Sequence, residues 1–199
     1  MGFVKIDAKG LACPKPVLET KKALSTLTEE GLITIVDNEI AVENVKKLVG
    51  KLGYEYEVTG ENDYFEIKII NDLKNIVITE STNNNIVDKS ILFTSDKMGR
   101  GDDELGSVLM SGYIYTLTEM EELPKYIMFV NSAVKLTTKG SKCIDDIKKL
   151  EEKGVEILSC GTCLDFLKIE LKDLEVGNVT NMYTIVDNTL NVKNTITIG

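Results

Sequence analysis

Apolar and polar positions along the first third of the chain follow two alternating rhythms. Phe3-Val4-Lys5-Ile6 is a short apolar run of strand type. From Pro14 to Leu27 the apolar residues Val17, Leu18, Leu24 and Leu27 form one helical stripe, with Glu19, Lys21 and Lys22 outside it. Gly31 punctuates, and Leu32-Ile33-Thr34-Ile35-Val36 is a β-branched strand. Val42, Val45, Leu48, Val49 and Leu52 mark a second amphipathic helix, stopped by Gly53. Tyr54 to Thr59 and Tyr64 to Ile70 read as two strands, and Gly60-Glu61-Asn62-Asp63 between them is a hairpin turn signal. The order βαβαββ predicts a small two-layer α/β sandwich over residues 1–71.

From Asp72 to Lys89 the rhythm lapses. Ile76-Val77-Ile78 is long enough for one short strand, and Ser81-Thr82-Asn83-Asn84-Asn85 is polar and turn-rich. Residues 72–89 are therefore expected to form a linker, which raises the effective concentration of one domain at the other. A second domain is expected over 90–199. It opens with the buried-type strand Ser90 to Ser95, followed by a helix from about Asp102 to Leu117. Leu105, Val108, Leu109, Gly112, Tyr113 and Thr116 are expected near one face of it. Then come a strand over Tyr126 to Val130, a loop through Ala133 to Thr138 and a helix from Ser141 or Lys142 to Lys153. A strand over Val155 to Ser159 follows, then a short helical stretch near Asn181 to Asn188 and a last strand over Thr195 to Ile198. Strands alternating with helices predict a doubly wound, mostly parallel sheet. Sites in such sheets lie beyond the carboxyl ends of the strands. Both halves are thus of the α/β class.

The formal charge of -9 argues against a nucleic-acid surface. No apolar run reaches the roughly 20 residues that span a bilayer. Lys5, Asp7 and Lys9 interrupt any signal-like apolar region at the start. The expected setting is cytoplasmic, without membrane association. The four cysteines, Cys13, Cys143, Cys160 and Cys163, are too sparse for a disulfide scaffold and read as chemistry in a reducing compartment. There is no histidine, which removes Cys-His and Ser-His-Asp catalysis and every histidine-containing zinc site. No metal and no cofactor is expected, and a reactive thiol must be activated by a helix terminus, a lysine or an arginine.

The first thiol lies in Asp7-Ala8-Lys9-Gly10-Leu11-Ala12-Cys13-Pro14-Lys15-Pro16, between the first strand and the first helix. Pro14 suits the first helical position, where a missing N–H costs nothing. Cys13 then falls at the helix N-terminus, where amide donors and the helix dipole favour a thiolate. Lys9 and Lys15 add positive potential. Read alone, a single cysteine is more often just a small buried hydrophobe. The pattern Asp-x-x-Gly-Leu-x-Cys-Pro-x-Pro resembles the signature of the TusA/SirA family of sulfur carriers, over roughly the first seventy residues. That resemblance implies the same βαβαββ fold and a persulfide carried on Cys13. Pro14 and Pro16 would hold the helix start rigid.

In the second domain, Met98-Gly99-Arg100-Gly101 joins a strand to a helix. Gly99, Arg100 and Gly101 read either as an anion-holding turn or as a plain tight turn. The Walker ending is missing, and Asp102, Asp103 and Glu104 would repel an anion. Cys160-Gly161-Thr162-Cys163 follows a strand. It reads as a redox dithiol, as a sulfur-relay pair, as half of a metal site needing distant partners, or as two inert cysteines. Cys143 reads as a structural helix residue. The region from about Ser90 onward resembles the DsrE/F family of sulfur-relay proteins. The pairing of CPxP with Ser-Cys-Gly-Thr-Cys-Leu-Asp-Phe resembles the YedF family, which is associated with selenium metabolism in some bacteria. The resemblance implies a thiol that carries sulfur or selenium and identifies neither donor nor acceptor. Cys160, immediately after its strand, is the favoured second thiol, with Cys163 resolving it. The reading is chalcogen transfer from a donor such as a cysteine desulfurase, through Cys13, to Cys160 on the same or a neighbouring chain. Whether the protein turns over or acts as a stoichiometric carrier stays open. The rivals are a redox- or ligand-sensing module and a thioredoxin-like dithiol oxidoreductase. Because DsrE-like proteins commonly assemble, a homo-oligomer through the C-terminal domain is expected.

Overall fold

The computed structural model describes residues 2–12, 14–71 and 85–199, with only the backbone of Lys51. Cys13, the Ile76-Val77-Ile78 run and the polar Ser81 to Asn84 lie outside the described residues. The chain divides into two compact units, 1–80 and 81–199.

The first unit has the element order β1 (Phe3–Asp7), α1 (Lys15–Ser25), β2 (Gly31–Val36), α2 (Glu39–Lys51), β3 (Glu55–Glu61), β4 (Tyr64–Ile70). Its sheet has the order β1-β2-β4-β3. β1 runs parallel to β2, and β4 runs antiparallel to both β2 and β3. Alternation on β2 and β4 sends Leu32, Val36, Ile67 and Ile69 inward, where they meet Leu24 of α1 and Val42, Val45 and Val49 of α2 in one core. The sheet and two helices are the expected two-layer arrangement. Inside it, the Thr20 hydroxyl donates to Pro16 O at 2.7 Å and meets the Thr34 hydroxyl at 3.1 Å, so this buried polar pair is satisfied. α2 starts before its apolar stripe because Asn38 caps it, the side chain accepting the Ala41 N–H at 2.8 Å.

The second unit continues with β5 (Asn85–Phe93), α3 (Asp103–Thr118), β6 (Glu122–Phe129), a 3-10 helix (Asn131–Thr137), α4 (Ile144–Glu152), β7 (Glu156–Cys160), α5 (Gly161–Phe166), a 3-10 turn (Leu171–Asp173), β8 (Asn178–Thr180), α6 (Met182–Leu190) and β9 (Asn194–Ile198). The sheet order is β8-β7-β6-β5-β9, and every pairing is parallel. The chain steps across the sheet from β5 to β8, then crosses back through α6 to place β9 on the far side of β5. The core centres on Phe93 and Phe129, stacked at 5.2 Å, with Tyr113 of α3 meeting Phe93 edge-on at 5.9 Å. Met110, Ile114, Leu123, Ile127 and Ile157 complete it.

Four features depart from the sequence reading. α3 buries Gly106, Met110, Ile114 and Thr118, so Leu105, Val108 and Leu109 of the face expected for it are exposed. β5 begins at Asn85, inside the stretch read as linker. Ile86 and Val87 pair with Leu123 and Pro124, and a bulge between Val87 and Ser90 breaks the alternation that would have exposed the strand to inspection. The loop expected over Ala133 to Thr138 is helical, burying Ala133, Val134 and Leu136. β8 was not anticipated, since three residues carry no periodicity. It is entered through Gly177 at φ +78°, where a Cβ would lie 2.6 Å from the Ile157 carbonyl oxygen. Among the described residues no helix is long and apolar enough to cross a membrane.

Candidate functional site: the thiol positions

In the first unit the approach to Cys13 is fixed by backbone contacts. The Ala8 N–H donates to Ile35 O at 2.8 Å, continuing the β1–β2 ladder past the end of β1. Gly10 turns the chain at φ +71°, and its N–H donates to Asp37 Oδ2. The Asn38 side-chain amide donates to Asp37 Oδ1 at 2.8 Å, while its carbonyl caps α2. Asp37 thus ties the turn before Cys13 to the start of α2. The Gly10 N–H foremost, and then the Asn38 amide, hold its carboxyl below the usual range. Nothing in the periodicity marked Asp37; only its place at a strand end, before a capping Asn, was a signal.

Beyond Cys13, the chain enters α1. Pro14 is the N-cap rather than the first helical residue, and Pro16 is the buried second one. This shift follows from the hydrogen bonds: the Val17 and Leu18 N–H groups both reach Pro14 O, at 3.1 and 3.2 Å. Among the described residues no side chain caps α1, and its first turn holds no acidic residue. The helices α2, α3 and α6 differ, being capped by the side chains of Asn38, Asp102 and Asn181. A pocket of about 40 Å³ lies beside this turn, between Leu11, Pro16 and Val17 on one side and Asn38, Ile40 and Ala41 on the other.

In the second unit Cys160 and Cys163 come together at the carboxyl end of β7. Cys160 is the last strand residue and the N-cap of α5, and is 1% exposed. Cys163, in the helix itself, is partly exposed. Its Sγ accepts the Asn131 N–H at 3.0 Å. Asn131 opens the 3-10 helix that Val130 joins to β6, and holds φ +56°, a left-handed conformation that Asn tolerates better than most residues. Next to it, the Ser132 hydroxyl donates to Asp96 Oδ1 at 2.9 Å and accepts the Asp96 N–H at 3.2 Å, joining the ends of β5 and β6. Burial, and then hydrogen bonding with the Cys160 thiol, push the Cys163 thiol up, and the Asn131 N–H works against them. Both thiols are free. Gly161 allows β8 to approach: a Cβ there would sit 3.0 Å from Val179 Cγ1 and 3.3 Å from Thr180 O. Asn131 and its neighbour Ser132 had no sequence signal, because one contributes a backbone N–H and the other a tie between loops.

Gly99, Arg100 and Gly101 form an exposed turn, with Gly99 at φ +81°. It feeds α3, whose cap is filled by Asp102, accepting the Leu105 N–H at 2.8 Å, and Lys97 pairs with Asp103. Cys143 is the buried N-cap of α4, its N–H donating to the Ser141 hydroxyl at 3.1 Å, and burial pushes its thiol up. Among the described residues, no group of three or more His, Cys, Asp or Glu is arranged to hold a metal ion.

Comparison with known proteins bears on the first unit most directly. The family described as "Sulfurtransferase TusA" matches residues 4–70. A protein of Methanocaldococcus jannaschii, named as a candidate sulfur carrier, is 42% identical over 60 residues, which are 30% of this chain and 80% of the relative. Among solved structures, a SirA-like protein from Desulfitobacterium hafniense is 38% identical and covers 35% of this chain and 97% of its own, with a TM-score of 0.32. The ychN protein of E. coli is 17% identical, covering 55% of this chain and 99% of its own, with a TM-score of 0.39. A conserved protein of unknown function from Bacteroides thetaiotaomicron is 15% identical, covering 56% of this chain and 95% of its own, with a TM-score of 0.40.

Proposed function

The chain belongs to the TusA family through residues 4–70, and on that premise we propose that it is a sulfur carrier whose cargo rides on Cys13. The cargo is a persulfide or its selenium equivalent. The family match across the CPxP segment is the observation that carries this reading. The state of α1 supports it physically. Cys13 immediately precedes the N-cap of a helix that has neither a capping side chain nor an acidic residue in its first turn. Among the described residues, no acidic side chain of its first turn offsets its positive end, and an anionic sulfur next to it is favoured.

Loading is an exchange at sulfur. The Cys13 thiolate attacks the outer sulfur of a donor persulfide, such as that on a cysteine desulfurase. The bond between the donor's two sulfurs breaks, and the donor cysteine leaves as a thiolate. No net oxidation occurs and no cofactor takes part. The joining of this unit to a parallel α/β unit bearing Cys160-Gly-Thr-Cys163 is of the YedF type, with a DsrE-like second half, and extends the reading to selenium metabolism. In this scheme the C-terminal thiols receive the cargo, and that unit also mediates self-association.

The test supplies reduced protein with a cysteine desulfurase and cysteine, then with selenocysteine, and follows intact mass. A sulfur or selenium adduct that Cys13→Ser abolishes is the expected result. An active donor that leaves every cysteine unmodified would remove the carrier reading and favour a sensing module.

A further inference from the structure

The carrier reading leaves open what the C-terminal thiols do, and their burial orders them. Cys160 is 1% exposed, so a donor cannot reach its sulfur without first displacing its surroundings. Cys163 is partly exposed, and its sulfur already accepts a backbone N–H, from Asn131 at 3.0 Å. That donor can also hold the negative sulfur formed when the thiol ionises. Cys160 ends β7 and is the N-cap of α5, and Cys163 lies in the first turn of that helix, so one strand-to-helix turn carries both thiols, which is the arrangement exchange between them requires.

We infer that the C-terminal unit discharges sulfane sulfur: Cys163 receives it, and Cys160 expels it as hydrosulfide. In the first step the Cys163 thiolate attacks the outer sulfur of an incoming persulfide. The donor thiolate leaves, and Cys163 holds the persulfide. In the second, Cys160, having given up its proton, attacks Cys163 Sγ. The Sγ–S bond breaks, a Cys160–Cys163 disulfide forms, and the outer sulfur departs as hydrosulfide. Two thiols are oxidised by two electrons and the sulfane sulfur is reduced by two, so the step balances without an external oxidant. A dithiol reductant must return the disulfide to the free pair. The order is the reverse of the one in which Cys160 receives and Cys163 resolves, and it deepens the carrier reading by giving the cargo an exit.

The experiment uses the full chain with Cys13→Ser, so that only the C-terminal unit responds and Cys13 loading is not at issue. Glutathione persulfide is the probe, with hydrosulfide release and site-mapped mass spectrometry as readouts. The Cys13→Ser protein is expected to release hydrosulfide and to acquire the Cys160–Cys163 disulfide. Adding Cys160→Ala should abolish release and trap a persulfide on Cys163. Adding Cys163→Ala should abolish both the adduct and the release. Because Cys160 is buried, Cys160→Ser serves as a second trap if the alanine variant fails to fold. An adduct trapped on Cys160 in the Cys163→Ala background, or no adduct on Cys163 in either folded trap, would overturn the inference.

Discussion

The Asp37 carboxylate receives the N–H of Gly10, and through this bond the turn before Cys13 is fastened to the start of α2. Gly10 sits at φ +71°, so the turn is held by a conformation that favours glycine and by a carboxylate from a different part of the sequence. Replacing Asp37 with Ala should loosen the turn and slow the loading of Cys13, while Asp37→Asn, which keeps an acceptor, should lose less. Loading rates measured with one desulfurase at fixed concentration check the order wild type, Asn, Ala.

The same bond has a pH signature. The carboxyl of Asp37 is held below the usual carboxylate range, first by the Gly10 N–H. A depressed acid contributes its stabilisation above its unfolded pKa and loses it as pH falls through the folded one. The tie is therefore complete at neutral pH and opens only in acid. The amide resonance of Gly10 should titrate with a midpoint below the ordinary value of 3.8, and should lose that titration in Asp37→Ala.

At the second site, Asn131 holds its N–H on Cys163 by adopting φ +56°. A β-branched residue there is strained by about 1–2 kcal/mol. Asn131→Val is expected to lower the melting temperature and pull the donor away from Cys163, whereas Asn131→Gly should keep both. If the two variants alkylate at Cys163 at the same rate, the N–H has no influence on that thiol.

The Cys163 thiol is pushed up by burial and then by Cys160. Its alkylation should therefore accelerate with a midpoint above the ordinary 9.0, and removing the Cys160 contact should lower that midpoint. Rates of iodoacetamide labelling against pH, with Cys160→Ala compared to the parent, measure both. The sign is the informative part: an upward move in Cys160→Ala contradicts the described contact.

Phe93 is fully buried and stacked on Phe129 at 5.2 Å. Phe93→Ala should cost about 3–5 kcal/mol. The loss should appear in chemical denaturation followed through the C-terminal unit.

The elements that position both sites were readable where one face is buried. Val42, Val45 and Val49 announce α2 because a helix packed on one side must repeat its apolar residues at that spacing. The Tyr126 to Phe129 part of β6 was readable because a strand covered on both faces is nearly all apolar. The start of β5 was not, because a bulge at Asp88 and Lys89 interrupts its pattern, and β8 was too short to have one. The thiols were found from residue type and from the CPxP resemblance. Their supports, Asp37 and Asn131, were hidden for different reasons: the first acts on a residue distant in sequence, and the second acts through its backbone, which residue identity does not encode.

The central claim, that Cys13 is the carrier thiol, is tested most directly by the initial loading rate from a cysteine desulfurase, with the modified peptides mapped. The account predicts that the first persulfide appears on the Cys13 peptide and that Cys13→Ser removes this early phase, with Cys143→Ala leaving it unchanged. Persulfide appearing first, and equally fast, on the Cys163 peptide of Cys13→Ser would contradict it.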